Sequence, residues 1–166
     1  MQLYLIRHGI AAERGPAYPD DGARPLTEQG QGRIRAEARA LRRVDPGIGH
    51  VVTSPLLRAR QTAKLLAEGL DPRPPVVDCA ALGPDGTPAE VRAALGAYGA
   101  DAAVALVGHE PNLSELAAAL TGGTVRLGFK KGAICRIDLD TLRPARPGAL
   151  RWFIPPKLLR LLGSPR

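Results

Sequence analysis

The strongest constraint on the fold is a repeated order of short apolar runs, each followed by a stretch with helical periodicity. β-prone apolar residues dominate positions 3–6, 48–53 and 102–107. Runs of this length, bounded by glycine or turn residues, are typical of buried strands rather than helices. Strands that alternate with helices predict a mostly parallel sheet with helices on both faces. We therefore expect an α/β fold, a three-layer α/β/α sandwich, in one domain spanning residues 1–166.

Two later segments depart from this order. Residues 133–139 and 149–154 alternate in polarity and flank a turn rich in proline and glycine. This pattern favours an antiparallel hairpin, which we place at one edge of the central sheet.

Local signals also predict where the helices of the sandwich begin. Thr27 is suited to cap the first helix, and Ser54 with Pro55 has the order of an N-cap and a first helical residue. Thr87 and Glu90 have the spacing of a capping box, which is a fairly specific helix start.

Charged and imidazole side chains follow three of the predicted strands. Arg7 and His8 come after the first strand, Arg58 lies in the first helical turn after the second, and His109 follows the strand at 102–107. Because the carboxyl ends of parallel strands meet at one edge of a sheet, we expect these residues to lie together. The loop at 10–26 follows His8 directly and should border the same site.

Two arginines and two histidines form a set suited to a phosphate dianion. The planar guanidinium group matches phosphate geometry, and a helix N-terminus near Arg58 also favours an anion. A neutral His8 could attack phosphorus, while a protonated His109 would join the arginines around the oxygens. The sequence has no metal-ligand spacing such as C-x-x-C or H-E-x-x-H, so we expect an enzyme without metal or other cofactor.

The motifs around these residues resemble those of the histidine phosphatase superfamily, which has the phosphoglycerate-mutase-like fold. Three segments carry the resemblance: Arg7-His8-Gly9, residues 53–63 (TSPLLRARQTA) and residues 107–111 (VGHEP). The small size and a similarity over nearly the whole chain are closest to the SixA-type phosphohistidine phosphatases. The resemblance implies that His8 is the phosphorylated nucleophile and that Arg7, Arg58 and His109 form the phosphate pocket.

The sequence constrains the identity of the substrate less than it constrains the site residues. We expect the substrate to be a phosphohistidine in a protein of the histidine phosphotransfer type. Larger relatives carry an inserted segment between the second and third motifs that supplies an acid, and this chain is short there. The expected substrate is therefore one whose leaving group does not need a positioned acid. A phosphatase for small phosphate esters is the alternative, and it would need Glu13, Asp85 or Glu110 as general acid. A binding module that holds a phosphoprotein without turnover also remains open.

Composition and charge narrow the classes of function that remain. The net charge is +7, and arginines are concentrated at 33–43, but no nucleic-acid-binding motif accompanies them. We interpret this basic segment as a solvated helix face or as a source of positive potential that steers anions. No apolar run is long enough to cross a bilayer, no signal peptide is apparent, and the two cysteines are widely separated. We expect a cytoplasmic monomer with reduced thiols that binds neither nucleic acid nor membrane.

Overall fold

A computed structural model describes residues 1–44, 47–123, 125–142 and 146–163. Its centre is a six-stranded sheet in the order β3-β2-β4-β1-β5-β6. The strands are β1 (Gln2–Arg7), β2 (His50–Thr53), β3 (Val76–Asp78), β4 (Ala103–Gly108), β5 (Ile134–Asp138) and β6 (Ala149–Ile154). The helices are α1 (Glu28–Val44), α2 (Leu57–Gly69), α3 (Pro88–Leu95), α4 (Asn112–Leu120) and α5 (Pro156–Gly163), with single 3-10 turns at Asp21–Ala23 and Ala80–Leu82.

The strand pairing confirms the predicted mixed sheet. β1 runs parallel to β4, and β4 in turn runs parallel to β2, so Arg7 pairs with Gly108 and Thr53 with Val107. The carboxyl ends of these three strands therefore lie side by side. β5 and β6 are antiparallel and extend the sheet beyond β1, which confirms the edge hairpin.

Two apolar layers hold the helices to the sheet. Successive side chains of a strand point to opposite faces, so Leu3 and Leu5 pack with α3 and α4, while Tyr4 and Ile6 pack with α1, α2 and α5. All four side chains are almost completely buried. Full burial of a side chain of this size stabilises the fold by about 2 kcal/mol, so β1 is strongly anchored up to the residue before the site.

Two of the three predicted helix starts are confirmed. Thr27 Oγ1 accepts a hydrogen bond from Gly30 N–H, and Thr87 with Glu90 forms the reciprocal capping box. Caps of this kind contribute about 1 kcal/mol each. Among the described residues, no helix is both long and apolar enough to cross a membrane.

The predicted start of α2 is wrong. The helix begins at Leu57, and Leu56 occupies the N-cap position without a side-chain cap. Ser54 lies outside the helix, where its Oγ is 2.8 Å from His109 Nε2 and accepts a long hydrogen bond from Leu56 N–H. Ser54 therefore contacts His109, a residue 55 positions away in the chain, instead of acting as the N-cap of α2.

Candidate active site

The structure brings together the side chains that follow β1, β2 and β4. His8, Arg58 and His109 are each 5–6% exposed. The ring centroids of His8 and His109 are 4.9 Å apart. Arg7 and Arg58 are close enough to both rings to lower their pKa values by charge repulsion. The four residues therefore share one pocket at the carboxyl edge of the sheet, as expected from the strand order.

His8 is held as a neutral imidazole in which one ring nitrogen keeps a free lone pair. Its Nδ1 lies 2.7 Å from Gly9 O, and because a carbonyl oxygen only accepts, Nδ1 carries the hydrogen. The pKa of His8 is lowered to about 3, mainly by burial and also by the charges of His109, Arg58 and Arg7, although the bond to Gly9 acts in the opposite direction. The free nitrogen is consequently Nε2, which is unprotonated at neutral pH and able to act as a nucleophile.

Gly9 also connects His8 to α2. Gly9 N–H donates to Thr62 Oγ1 at 3.1 Å, and Thr62 Oγ1 donates to Arg58 O at 2.7 Å. A Cβ on residue 9 would lie 2.8 Å from the side chain of Ile34, so glycine lets the turn pack closely on α1. The backbone after β1 and the first turn of α2 are thereby held in fixed positions relative to each other.

Both arginines are anchored by protein oxygens, and each keeps a buried Nε donor without a partner in the described residues. Arg7 Nη1 donates to Phe129 O at 2.5 Å. Arg58 Nη1 donates to Asp21 O at 2.7 Å, and Arg58 Nη2 donates to Asp21 Oδ2 at 2.9 Å. The Nε atoms of Arg7 and Arg58 are buried and have no hydrogen-bond partner within the described part of the chain. The carbonyl and carboxylate oxygens thus fix the orientation of each guanidinium group. The Nε–H of each group remains available to donate a hydrogen bond to an anion.

His109 differs from the sequence-based expectation. We expected a bias towards the imidazolium, but the pKa of His109 is lowered to about 4, mainly by burial and also by the charge of Arg58, although Asp21 acts in the opposite direction. Its Nδ1 is buried and has no hydrogen-bond partner among residues 1–44, 47–123, 125–142 and 146–163. When the Ser54 hydroxyl donates to Nε2, the hydrogen of the neutral ring lies on Nδ1. His109 can then donate to an anion without a positive charge of its own.

Comparison with known proteins agrees with this geometry. The sequence model of the histidine phosphatase superfamily (branch 1) matches residues 3–82. An uncharacterized protein of Picosynechococcus sp. is 43% identical over 139 residues, which are 81% of this chain and 82% of that protein. Phosphohistidine phosphatase SixA of Escherichia coli (strain K12) is 31% identical over 163 residues, which are 97% of this chain and 98% of SixA.

The chain belongs to the histidine phosphatase superfamily. The structure of the protein histidine phosphatase SixA complexed with tungstate superposes with a TM-score of 0.84 at 31% identity, covering 96% of this chain and 99% of that one. The mixed sheet and its helices therefore match a SixA fold over nearly the whole length. This member of the superfamily is a phosphatase, and the histidine phosphatase motifs at residues 7–9 and 53–63 lie within the matched segment.

Sequence reasoning missed Asp21 in this histidine phosphatase. Asp21 lies in the loop expected to border the site and bonds Arg24 as well as Arg58, with its Oδ1 2.7 Å from Arg24 Nη2. Burial raises the pKa of Asp21, but hydrogen bonds from Arg24 and Arg58 outweigh this and leave it below its usual value. Asp21 is therefore an ionised carboxylate that orients Arg58. Its sequence context, two aspartates in a turn, contains no signal for that role.

The three acids proposed from the sequence make no hydrogen bond to His8 or His109 among the described residues. Glu110 accepts from Phe129 N–H at 2.9 Å and from Ser114 Oγ, so its carboxylate fastens the segment that contacts Arg7. Glu13 and Asp85 are exposed. In the described residues, no carboxyl group is hydrogen-bonded to either His8 or His109. The histidine phosphatase site thus lacks a general acid held against the nucleophile there.

In the described ranges, no group of three or more His, Cys, Asp or Glu side chains is placed to hold a metal ion. Cys79 and Cys135 are free thiols, and burial raises the pKa of Cys135 to about 12. The cations available to an anion in this pocket are Arg7 and Arg58.

Proposed function

We propose that this chain is a phosphohistidine phosphatase that works through a covalent phosphohistidine on His8. The observation that carries the proposal is the pairing of a neutral, oriented His8 with three buried nitrogens that have free hydrogen-bonding capacity. These nitrogens are Arg7 Nε, Arg58 Nε and His109 Nδ1. The likeness to SixA in complex with tungstate supports an oxyanion in this position, because tungstate and phosphate share a tetrahedral arrangement of oxygens.

The reaction has two transfers. His8 Nε2 attacks phosphorus, the P–N bond of the substrate breaks, and the departing imidazole nitrogen takes a proton from solvent. Water then attacks the phosphorus on His8, releases inorganic phosphate and returns the neutral ring. In both transfers the arginines and His109 donate to the equatorial oxygens, where charge concentrates. The bond from His8 Nδ1 to Gly9 O stabilises the positive ring formed when Nε2 is phosphorylated.

The leaving group favours a P–N substrate over a P–O substrate. An alkyl phosphate expels a strongly basic alkoxide and gains from a positioned acid. Imidazole is far less basic, with a pKa of about 6.5, and can leave as the neutral ring after protonation by water or a weak donor. Glu110 is engaged with Phe129, Asp21 is kept ionised by its arginines, and Glu13 and Asp85 are exposed. The site is thus better equipped for the easier leaving group.

The test is a substrate panel assayed for phosphate release. We expect kcat/KM for free phosphohistidine and for a phosphohistidine protein of the phosphotransfer type to exceed that for phosphoserine and phosphoglycerate. Higher values for the esters, lost on Asp85→Asn, Glu13→Gln or Glu110→Gln, would instead identify an ester phosphatase and its acid. Stoichiometric binding of phosphohistidine without release of phosphate would identify a binding module.

A further inference from the structure

An open cleft with a strongly positive lining begins at Arg7. It has a volume of about 560 Å³ and lies between the N-terminal part of α1, the segment before β5 and the start of α5. Four separate stretches of chain contribute its cations, which are Arg7, Arg33, Lys130, Lys131, Lys157 and Arg160. We call this surface the cationic cleft.

The charges of the cationic cleft are largely uncompensated. Arg160 pairs with the buried Glu37 at 3.2 Å. Arg33, Lys130, Lys131 and Lys157 have no carboxylate within ion-pair distance among the described residues.

Elsewhere on the protein, some exposed arginines have acidic partners, whereas Arg35 and Arg39 have none within ion-pair distance among the described residues. Arg42 pairs with Asp71, Arg60 with Asp78 and Arg151 with Asp138. A cluster of like charges without partners destabilises the folded chain and produces a positive potential that attracts anions. The cationic cleft differs from these other positions because its cations come from four stretches of chain and lie around one opening that includes Arg7.

The cationic cleft is continuous with the phosphate pocket. Arg7 contributes to both, and Phe129, whose carbonyl oxygen anchors Arg7 Nη1, is followed directly by Lys130. Gly132 N–H donates to Arg7 O at 3.0 Å, which ties the same segment to the end of β1. A phosphorylated side chain that reaches His8 would therefore place the surface around it over the cationic cleft.

We propose that the cationic cleft binds an acidic surface of the phosphoprotein substrate beside its phosphohistidine. This inference rests on the proposed function. The pocket at His8 holds one phosphoryl group, so an adjoining cleft of about 560 Å³ has room for several side chains flanking that group. Ile10, Pro155 and Pro156 add apolar surface for the stems of those side chains. The described lining contains no aromatic ring, whereas single-stranded nucleic acid is usually bound by stacking on such rings.

Two matched peptides and two matched variants test this inference. One short peptide has phosphohistidine flanked by aspartate and glutamate, and the other has asparagine and glutamine in the same positions. The cleft variant combines Lys131→Gln with Lys157→Gln. The control combines Arg35→Gln with Lys64→Gln, which removes the same charge from exposed positions on α1 and α2 outside the cationic cleft. Free phosphohistidine is assayed alongside the peptides.

We expect the wild type to have a lower KM for the acidic peptide than for the neutral one. The cleft variant should raise the KM for the acidic peptide by about fivefold, the effect of two exposed ion pairs of ordinary strength. This rise should shrink at high salt. The control variant should leave that KM unchanged, and neither variant should alter kcat for free phosphohistidine.

Several results would overturn the inference. An equal rise in the control would mean that net charge alone steers the peptide, and an equal loss with free phosphohistidine would place the lysines in the phosphate pocket. An unchanged KM for the acidic peptide in the cleft variant would exclude docking there. If the wild type turns over free phosphohistidine but does not prefer the acidic peptide, only the docking inference fails. If it turns over none of the three, the proposed function fails and the docking inference with it.

Discussion

Replacing Arg58 with alanine should lower kcat/KM for phosphohistidine far more than replacing Arg60 with alanine. The two arginines lie on α2 two positions apart, and residues at i and i+2 do not share a helical face. The structure shows the consequence, because Arg58 is 5% exposed and bonded to Asp21, whereas Arg60 is exposed and paired with Asp78. Sequence reasoning predicted this difference in face, and the structure confirms it.

The magnitude follows from the contacts of each side chain. A hydrogen bond to a charged group contributes about 1.5–3 kcal/mol, so losing the contact between Arg58 and the phosphoryl group should lower kcat/KM by about 10- to 150-fold. Arg58→Ala also removes a cation bonded to Asp21, and the remaining carboxylate repels a dianion, so we expect a loss near the upper end. Arg60→Ala breaks only an exposed ion pair and should change kcat/KM by less than about twofold.

The measurement is kcat/KM for free phosphohistidine, with the melting temperature of each variant recorded to exclude unfolding. Arg58→Lys keeps a positive charge without the planar fork, so it should recover only part of the activity. Equal losses for Arg58→Ala and Arg60→Ala, in variants that remain folded, would refute the assignment of faces and the role of Arg58 in the pocket.

Three further predictions concern the nucleophile, pH and metals. His8→Ala should abolish turnover while the fold survives, and acid-free quenching of the wild type with labelled substrate should trap phosphate on His8; near-normal activity in this variant would end the covalent mechanism. Because the pKa of His8 is lowered to about 3 and that of His109 to about 4, both rings stay neutral well below pH 6.5, so neither should cause a fall in kcat/KM between about pH 8 and about pH 5 once the separately measured titration of the phosphohistidine substrate is corrected for. A fall centred near pH 6.5 that remains after this correction would show that one ring titrates normally. Activity should also be unchanged by EDTA, and inhibition that Mg²⁺ or Mn²⁺ reverses would contradict a pocket whose cations are Arg7 and Arg58.

The sequence alone determined the order of elements and the edge on which the site lies. Strands marked by apolar runs, and helix starts marked by caps at Thr27 and Thr87, depend on residues that are neighbours in the chain, so the sequence predicts them directly. Parallel strands then bring their carboxyl ends together whatever the details of packing, which is why His8 and His109 could be placed in one pocket. The four predicted site residues, which are the proposed nucleophile His8 and the three residues proposed to hold phosphate, were selected by this route.

Tertiary structure alone decided how those residues are held and charged. Asp21 meets Arg58 across 37 positions and Ser54 meets His109 across 55, and no local pattern predicts either contact. The charge of His109 could not be determined from the sequence for the same reason, since its pKa depends on how deeply the ring is buried and on the nearby Arg58. The cationic cleft likewise combines cations from distant segments, which come together only when α1, α5 and the segment before β5 pack around Arg7.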